Sequence, residues 1–253
     1  MDMLDKIQEC DSAMVNFFCE TQEHENFTRF RDNKFTLMYA HNFTKIKNVN
    51  DETPQLIESE IANNKNEGKD YCLIRLPNDA PVPKTSQTPS VDVNGIYTAK
   101  ASSLVNMKTN QAFSIAKVDS QEMLKDVLRL SLEESEEDYG ADFCNGRTKR
   151  YGEAYLSDKG VDCYLCYVDE AAIGRCELFA YGDLAYIEDF YISPSHQRKG
   201  YGTTMFMELV KNAMEKGVTT IYLLADEEDT PKEMYKKMGF EKISQYTELL
   251  FKI

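Results

Sequence analysis

The chain has 253 residues, 42% of them hydrophobic and 28% charged, with a formal net charge of −14. That is the composition of a folded globular protein with length enough for two domains, and its acidity argues against a nucleic-acid or anionic-membrane surface, both of which need basic patches. No apolar run is long enough to span a bilayer, and Met1-Asp-Met-Leu-Asp-Lys6 lacks the order of a signal peptide; with seven scattered cysteines, odd in number and mostly in apolar segments, a reducing cytoplasm is expected.

Taken in order, residues 2–21 carry helical spacing in Leu4, Ile7, Met14, Phe17 and Phe18. Phe27–Phe30, Phe35–Tyr39 and Asn42–Ile46 read as short strands. Thr53-Pro54 opens a helix through Leu56, Ile57 and Ile61, and Tyr71–Leu76 is a strand. Pro77–Pro89 holds four prolines and reads as a loop, with one more strand at Gly95–Ala99. These elements form an N-terminal α+β domain over residues 1–100, and the polar stretch 101–111 is a linker.

From residue 112 the predicted order is β-α-α-β-β-β-α-β-α-β-β. Strand Phe113–Val118 leads to helix Gln121–Leu132, the acidic segment Glu133–Asp138 and a short helix at Thr148–Ser157. Strands Asp162–Val168, Ala172–Tyr181 and Leu184–Ile192 follow on hairpin-length connections. Then come helix Gly202–Lys216, strand Thr219–Ala225, a short helix and the β-prone runs Glu241–Ser244 and Glu248–Ile253. Cys163 and Cys166 have redox spacing but alternate along a strand, and no second ligand pair accompanies them, so neither redox nor metal chemistry is assigned.

The chemistry concentrates where the strand ending Phe190-Tyr191-Ile192 breaks at Ser193-Pro194 and turns through Gln197-Arg198-Lys199-Gly200-Tyr201-Gly202-Thr203 into a helix. The first-turn amides of a helix have no intrahelical partner, the helix dipole is positive there, and glycine admits close approach, so the turn is an anion cradle. It lacks the Lys-Ser/Thr of a P-loop, hence a Mg²⁺ ligand, and the third glycine of a dinucleotide fingerprint. Downstream, Thr230-Pro231-x-Glu233 is a capping box and Gly239 a left-handed stop, bounding a short helix that carries Tyr235. Tyr235 is either a packed aromatic or a functional group.

These parts in this order, with Gln197-x-x-Gly200-x-Gly202 and Tyr235-Lys-Lys-Met-Gly239-Phe240, resemble the GNAT acetyltransferase superfamily over roughly Phe113–Ile253. The resemblance implies a GNAT-type α+β domain, a mixed and mostly antiparallel sheet with helices on both faces, over residues 112–253. It also implies an acyl-coenzyme A donor, acetyl-CoA, and no metal. The donor's pyrophosphate would lie on the amides from Arg198 to Thr203. Its pantetheine arm would pair with the backbone of Phe190, Tyr191 and Ile192, where the strand splays at a bulge. A backbone N–H near Phe190 would polarise the thioester carbonyl, and Tyr235 matches the tyrosine that protonates the leaving thiolate.

An ammonium acceptor must lose a proton before attacking, which asks for a base. Glu188, on the same strand with apolar neighbours that desolvate it, is the candidate, with Asp189 and Glu177 as weaker substitutes. Glu228, where relatives carry an Asn, stays outside the site. His196, beside the cradle, is read as a turn residue. The acidic segment is either an acceptor-facing surface for a cationic amine or a solvated face. The N-terminal half has no second cradle and is either a degenerate copy of the fold or a cap. The expected activity is direct transfer of acetyl to a small-molecule or peptide amine in a ternary complex; a coenzyme A-binding module without turnover is the alternative. Oligomeric state is open.

Overall fold

The computed structural model describes residues 2–105, 113–157, 160–228 and 231–253. By contacts they fall into two compact units that alternate along the chain: Met1–Phe17 with Thr98–Leu223, and Phe18–Tyr97 with Leu224–Ile253. The single sequential boundary near residue 100 thus gives way to an interleaved division. Part of the reason lies at the N-terminus. Helix α1 (Met3–Phe18) buries Ile7, Cys10 and Met14, and Lys6 pairs with Asp183 at 2.7 Å, so the first residues belong with the later chain.

In the second unit the strands are β1 (Glu20–Glu23), β2 (Phe27–Arg31), β3 (Phe43–Ile46), β4 (Tyr71–Arg75), most of β5 (Ser90–Lys100) and β11 (Glu241–Lys252), in the order β1-β2-β3-β4-β11-β5. Helix α2 (Thr53–Asn66) joins β3 to β4, which run parallel. Its core includes Ile46, Ile57, Ile74, Leu249 and Phe251.

Two expectations are corrected in this unit, and one strand is new. The strand expected at Phe35–Tyr39 is instead an irregular turn ending in a 3-10 turn, Tyr39–His41. There the Asn42 amide donates to the carbonyls of Phe35 (3.1 Å) and Met38 (2.9 Å), local bonds that displace a ladder. The two closing runs are one strand, β11, whose Glu248–Lys252 pair antiparallel with β4. β1 is wholly polar and exposed, so no apolar alternation announced it.

In the first unit β6 (Ser114–Lys117), β7 (Asp162–Val168), β8 (Ala171–Tyr181), β9 (Leu184–Ile192) and β10 (Thr220–Asp226) lie in the order β10-β9-β8-β7-β6. The first four pair antiparallel and β10 runs parallel to β9. A short helix, α3 (Ala101–Leu104), stands inside the expected linker. Helix α4 (Gln121–Tyr139) is capped by Ser120 and runs seven residues past its expected end, through the acidic segment. Helix α5 (Ala141–Tyr155) begins seven residues before its expected start. Its two internal glycines weaken the helical pattern in the sequence, yet Gly152 is what lets α5 meet α4: a Cβ there would come within 2.8 Å of Leu124. Helix α6 (Tyr201–Glu215) buries Met205, Phe206, Leu209 and Val210, as its spacing requires. Helix α7 (Pro231–Met238) belongs to the second unit.

Candidate active site

The site is built where β9 loses its regular pairing. Glu177 on β8 pairs with Glu188, and Arg175 with Tyr191. One residue of β8, Cys176, therefore faces two of β9, Asp189 and Phe190, which is a β-bulge. Asp189 sits at φ 51°, a left-handed conformation that a side chain other than glycine rarely adopts. On its other edge β9 pairs with β10 only over Leu184–Tyr186. Among the described residues of this unit, the backbone from Ile187 onward has no ladder on that side.

Around the bulge lies a cluster of charges that apolar strands rarely bury. Arg175 is 1% exposed and Glu177 also 1%. Arg175 grips Asp189 with two hydrogen bonds, Nε to Oδ2 at 2.5 Å and Nη2 to Oδ1 at 2.9 Å, and also pairs with Glu134 of α4. Arg147 of α5 holds Glu177 at 2.9 Å and reaches Asp189 at 3.2 Å. Tyr155 donates to the same Glu177 oxygen. Burial works against ionising Asp189, yet the two guanidiniums hold its carboxyl down to about 2.

Glu188 differs from Glu177 and Asp189 in forming no ion pair among the described residues. Its Oε2 is buried with no hydrogen-bond partner. Burial pushes the carboxyl up to about 8, the Glu177 carboxylate adds to the push, and Arg147 pulls against it. Asp189 and Glu177, the substitutes for the base, are instead committed to arginines.

Beyond Ile192 a 3-10 turn, Pro194–His196, leads into the cradle, where Arg198 (φ 58°) and Gly200 (φ 86°) are both left-handed. No side chain caps α6. Its first intrahelical amide bond runs from Thr204 to the Gly200 carbonyl at 3.1 Å, so helix geometry leaves the amides of Tyr201–Thr203 without intrahelical acceptors. Gly202 lies against the Phe190 ring: a Cβ there would stand 3.2 Å from it. Two side chains expected to touch a ligand support the turn itself. Gln197 donates to the Ile192 carbonyl at 2.8 Å and Lys199 to the Ser195 carbonyl at 2.8 Å. Arg198 is exposed.

Glu188 and the cradle thus belong to the first unit, and Tyr235, on α7, to the second. Tyr235 is half-buried with its ring edge-on to Phe240, and Gly239 at φ 99° ends the helix as its sequence requires. The expected cap Thr230 lies outside the described residues. In the acidic segment, Glu133 accepts from Ser193 at 2.8 Å and Glu134 binds Arg175, while Glu136, Glu137 and Asp138 are exposed. Two of its members therefore brace β9. Sequence reasoning missed Arg147, Tyr155 and Arg175; the signal was present as Arg175 and Glu177 inside the apolar run of β8.

A strand with a bulge, an anion cradle and an uncapped helix define a class of protein. The Acetyltransferase (GNAT) family matches residues 124–240, and this segment belongs to it. Over 83 residues the chain is 36% identical to an uncharacterized N-acetyltransferase, CgeE, of Bacillus subtilis (strain 168), covering 31% of this chain and 32% of that protein. Over 109 residues it is 28% identical to a streptothricin acetyltransferase of Escherichia coli, covering 41% of this chain and 63% of that one. These alignments thus span about a third and just under two thirds of the curated relatives. A GCN5-related N-acetyltransferase from Kribbella flavida shares the fold over 98% of this chain and 95% of its own, with a TM-score of 0.69 at 13% identity. Among the described residues no group of His, Cys, Asp and Glu could hold a metal, and no helix is long and apolar enough to cross a membrane.

Proposed function

We propose that the protein is an N-acetyltransferase that moves an acetyl group from acetyl-CoA to a primary amine by direct attack. The observation that carries this reading is Glu188: a carboxyl raised to about 8, with a buried unpartnered oxygen, one residue before the bulge on the strand that feeds the cradle. A base matched to neutral pH is what an ammonium acceptor requires.

In this reading the amides from Arg198 to Thr203 receive the donor's pyrophosphate, helped by the exposed Arg198. The unladdered backbone from Phe190 through Tyr191 to Ile192 receives the pantetheine arm as an added strand. The Phe190 N–H polarises the thioester carbonyl. Glu188 accepts a proton from the acceptor ammonium, directly or through water. The free amine then forms its bond to the acyl carbon as the carbon–sulfur bond breaks; Tyr235, matched by its motif, protonates the thiolate and regains its proton from the one the new amide nitrogen sheds. Coenzyme A supplies only the activated acyl group. Around the bulge five carboxyl groups (Glu133, Glu134, Glu177, Glu188 and Asp189) outnumber three guanidiniums (Arg129, Arg147 and Arg175), which favours a cationic small-molecule or peptide amine.

Acetylation of an amine panel, followed as thiol release, tests the reading. Specific activity should rise with pH through about 8 and then level, and Glu188→Gln should remove that limb. Donor binding with no turnover across the panel would make the protein a non-catalytic coenzyme A-binding module.

A further inference from the structure

We propose that Arg175 is a positioning residue for acyl transfer: gripping Asp189 from β8 and Glu134 from α4, it holds the β9 bulge in the conformation that aims the Phe190 N–H and the Glu188 carboxyl. The inference rests on the acetyl-transfer reading above.

Asp189 has no conformational reason to be where it is. At φ 51° a glycine would be at ease and an aspartate is strained, so something must over-determine the backbone there. The fork from Arg175 does so. Two of its nitrogens meet the two Asp189 oxygens at 2.5 and 2.9 Å, and Nη2 also meets Glu134. That geometry needs the planar guanidinium, since a lysine offers a single charge centre without the fork.

The neighbours of the bulge give the grip its consequence. Glu188 precedes Asp189 and Phe190 follows it, so a change of φ at 189 swings the proposed base and the proposed oxyanion donor relative to each other. α4 holds β9 a second time, through Glu133 on Ser193 at 2.8 Å. Adjacent residues of α4 thus brace the two ends of the stretch on which donor and base depend. Arg175 itself is 1% exposed and has no path to solvent-borne substrate, which makes its role indirect.

The test is a double-mutant cycle on the full chain, read by steady-state turnover and by calorimetric titration with acetyl-CoA. Arg175→Met should lower kcat about tenfold or more while the donor Kd stays within about threefold, because the cradle is untouched. Asp189→Gly should cost less turnover than Arg175→Met, since glycine adopts the bulge conformation unaided. In that background Arg175→Met should cost less than about threefold. If Arg175→Met fails to fold, Arg175→Lys with and without Asp189→Gly reads the same coupling. A folded Arg175 variant with parental kcat, or one whose loss is equal in both backgrounds, overturns the proposal. A parent protein that neither binds acetyl-CoA nor acetylates any amine overturns the acetyl-transfer reading instead.

Discussion

Both units contain a strand, a turn, a helix and a parallel return strand, and the two turns differ in charge, in glycine and in their internal hydrogen bonds. In the first unit β9 passes through Arg198, Lys199 and the left-handed Gly200 into α6, with no side chain on the helix amides. In the second, β3 passes through Asn50, Asp51 and Glu52 into α2, which has no side-chain cap either, but here the turn carries its own hydrogen bonds. Asn50 Oδ1 accepts from the Glu52 amide at 3.0 Å, and Thr53 Oγ1 accepts from the Asn50 amide at 2.8 Å. Its acidic side chains oppose an anion, and it has no glycine between Lys47 and Thr53. The strands differ in the same sense: β2 and β3 pair without interruption from Phe27–Ile46 to Phe30–Phe43, while β8 and β9 break register at the bulge. A helix N-terminus becomes a ligand site only where its donors are not already consumed and the neighbouring charge has the right sign.

The largest effect expected from breaking this contrast is at Glu188. Glu188→Gln should lower kcat/KM on an amine by about a thousandfold near pH 8, the scale of a lost general base, with acetyl-CoA affinity nearly unchanged. Next is Tyr235→Phe, for which kcat should fall by about a hundredfold with the donor Kd intact; unchanged turnover would remove Tyr235 from the acid's role. Smaller is a stability effect with a defined sign. Because the folded carboxyl of Glu188 is raised above its ordinary value, its contribution to stability is full below the unfolded value and is lost as pH rises through about 8. Glu188→Gln should therefore melt about 2–5 °C above the parent at pH 9 and little differently near pH 5. Smallest is Thr53→Ala, which removes the hydroxyl that accepts from the Asn50 amide: about 1 kcal/mol of stability in denaturant titration, and no change in donor affinity.

How much of this was legible in sequence depended on whether local chemistry fixed the outcome. Gly239 announces a left-handed position, and the spacing of Met205, Phe206 and Leu209 announces α6; both readings hold. Glu188 was legible as a carboxylate in an apolar strand. What stayed hidden is carried by contacts distant in sequence. Asp189 gives no local sign of a left-handed backbone, because the arginines that hold it come from β8 and α5. The acidic segment looked like an acceptor surface or a solvated face, and only the partners Arg175 and Ser193 reveal Glu134 and Glu133 as braces. The alternation of the two units was equally hidden, since α1 and β11 take their places through long-range pairing.

The central claim, that the basic, glycine-bearing cradle takes the donor and the acidic turn of the second unit does not, is tested most directly by calorimetric titration of acetyl-CoA into the parent, Gly200→Val and Thr53→Ala proteins. One donor should bind per chain. Affinity should fall about tenfold or more in Gly200→Val, where a β-branched side chain must take φ 86°, and stay at the parental value in Thr53→Ala. Two donors per chain, or a loss confined to Thr53→Ala, would contradict the account.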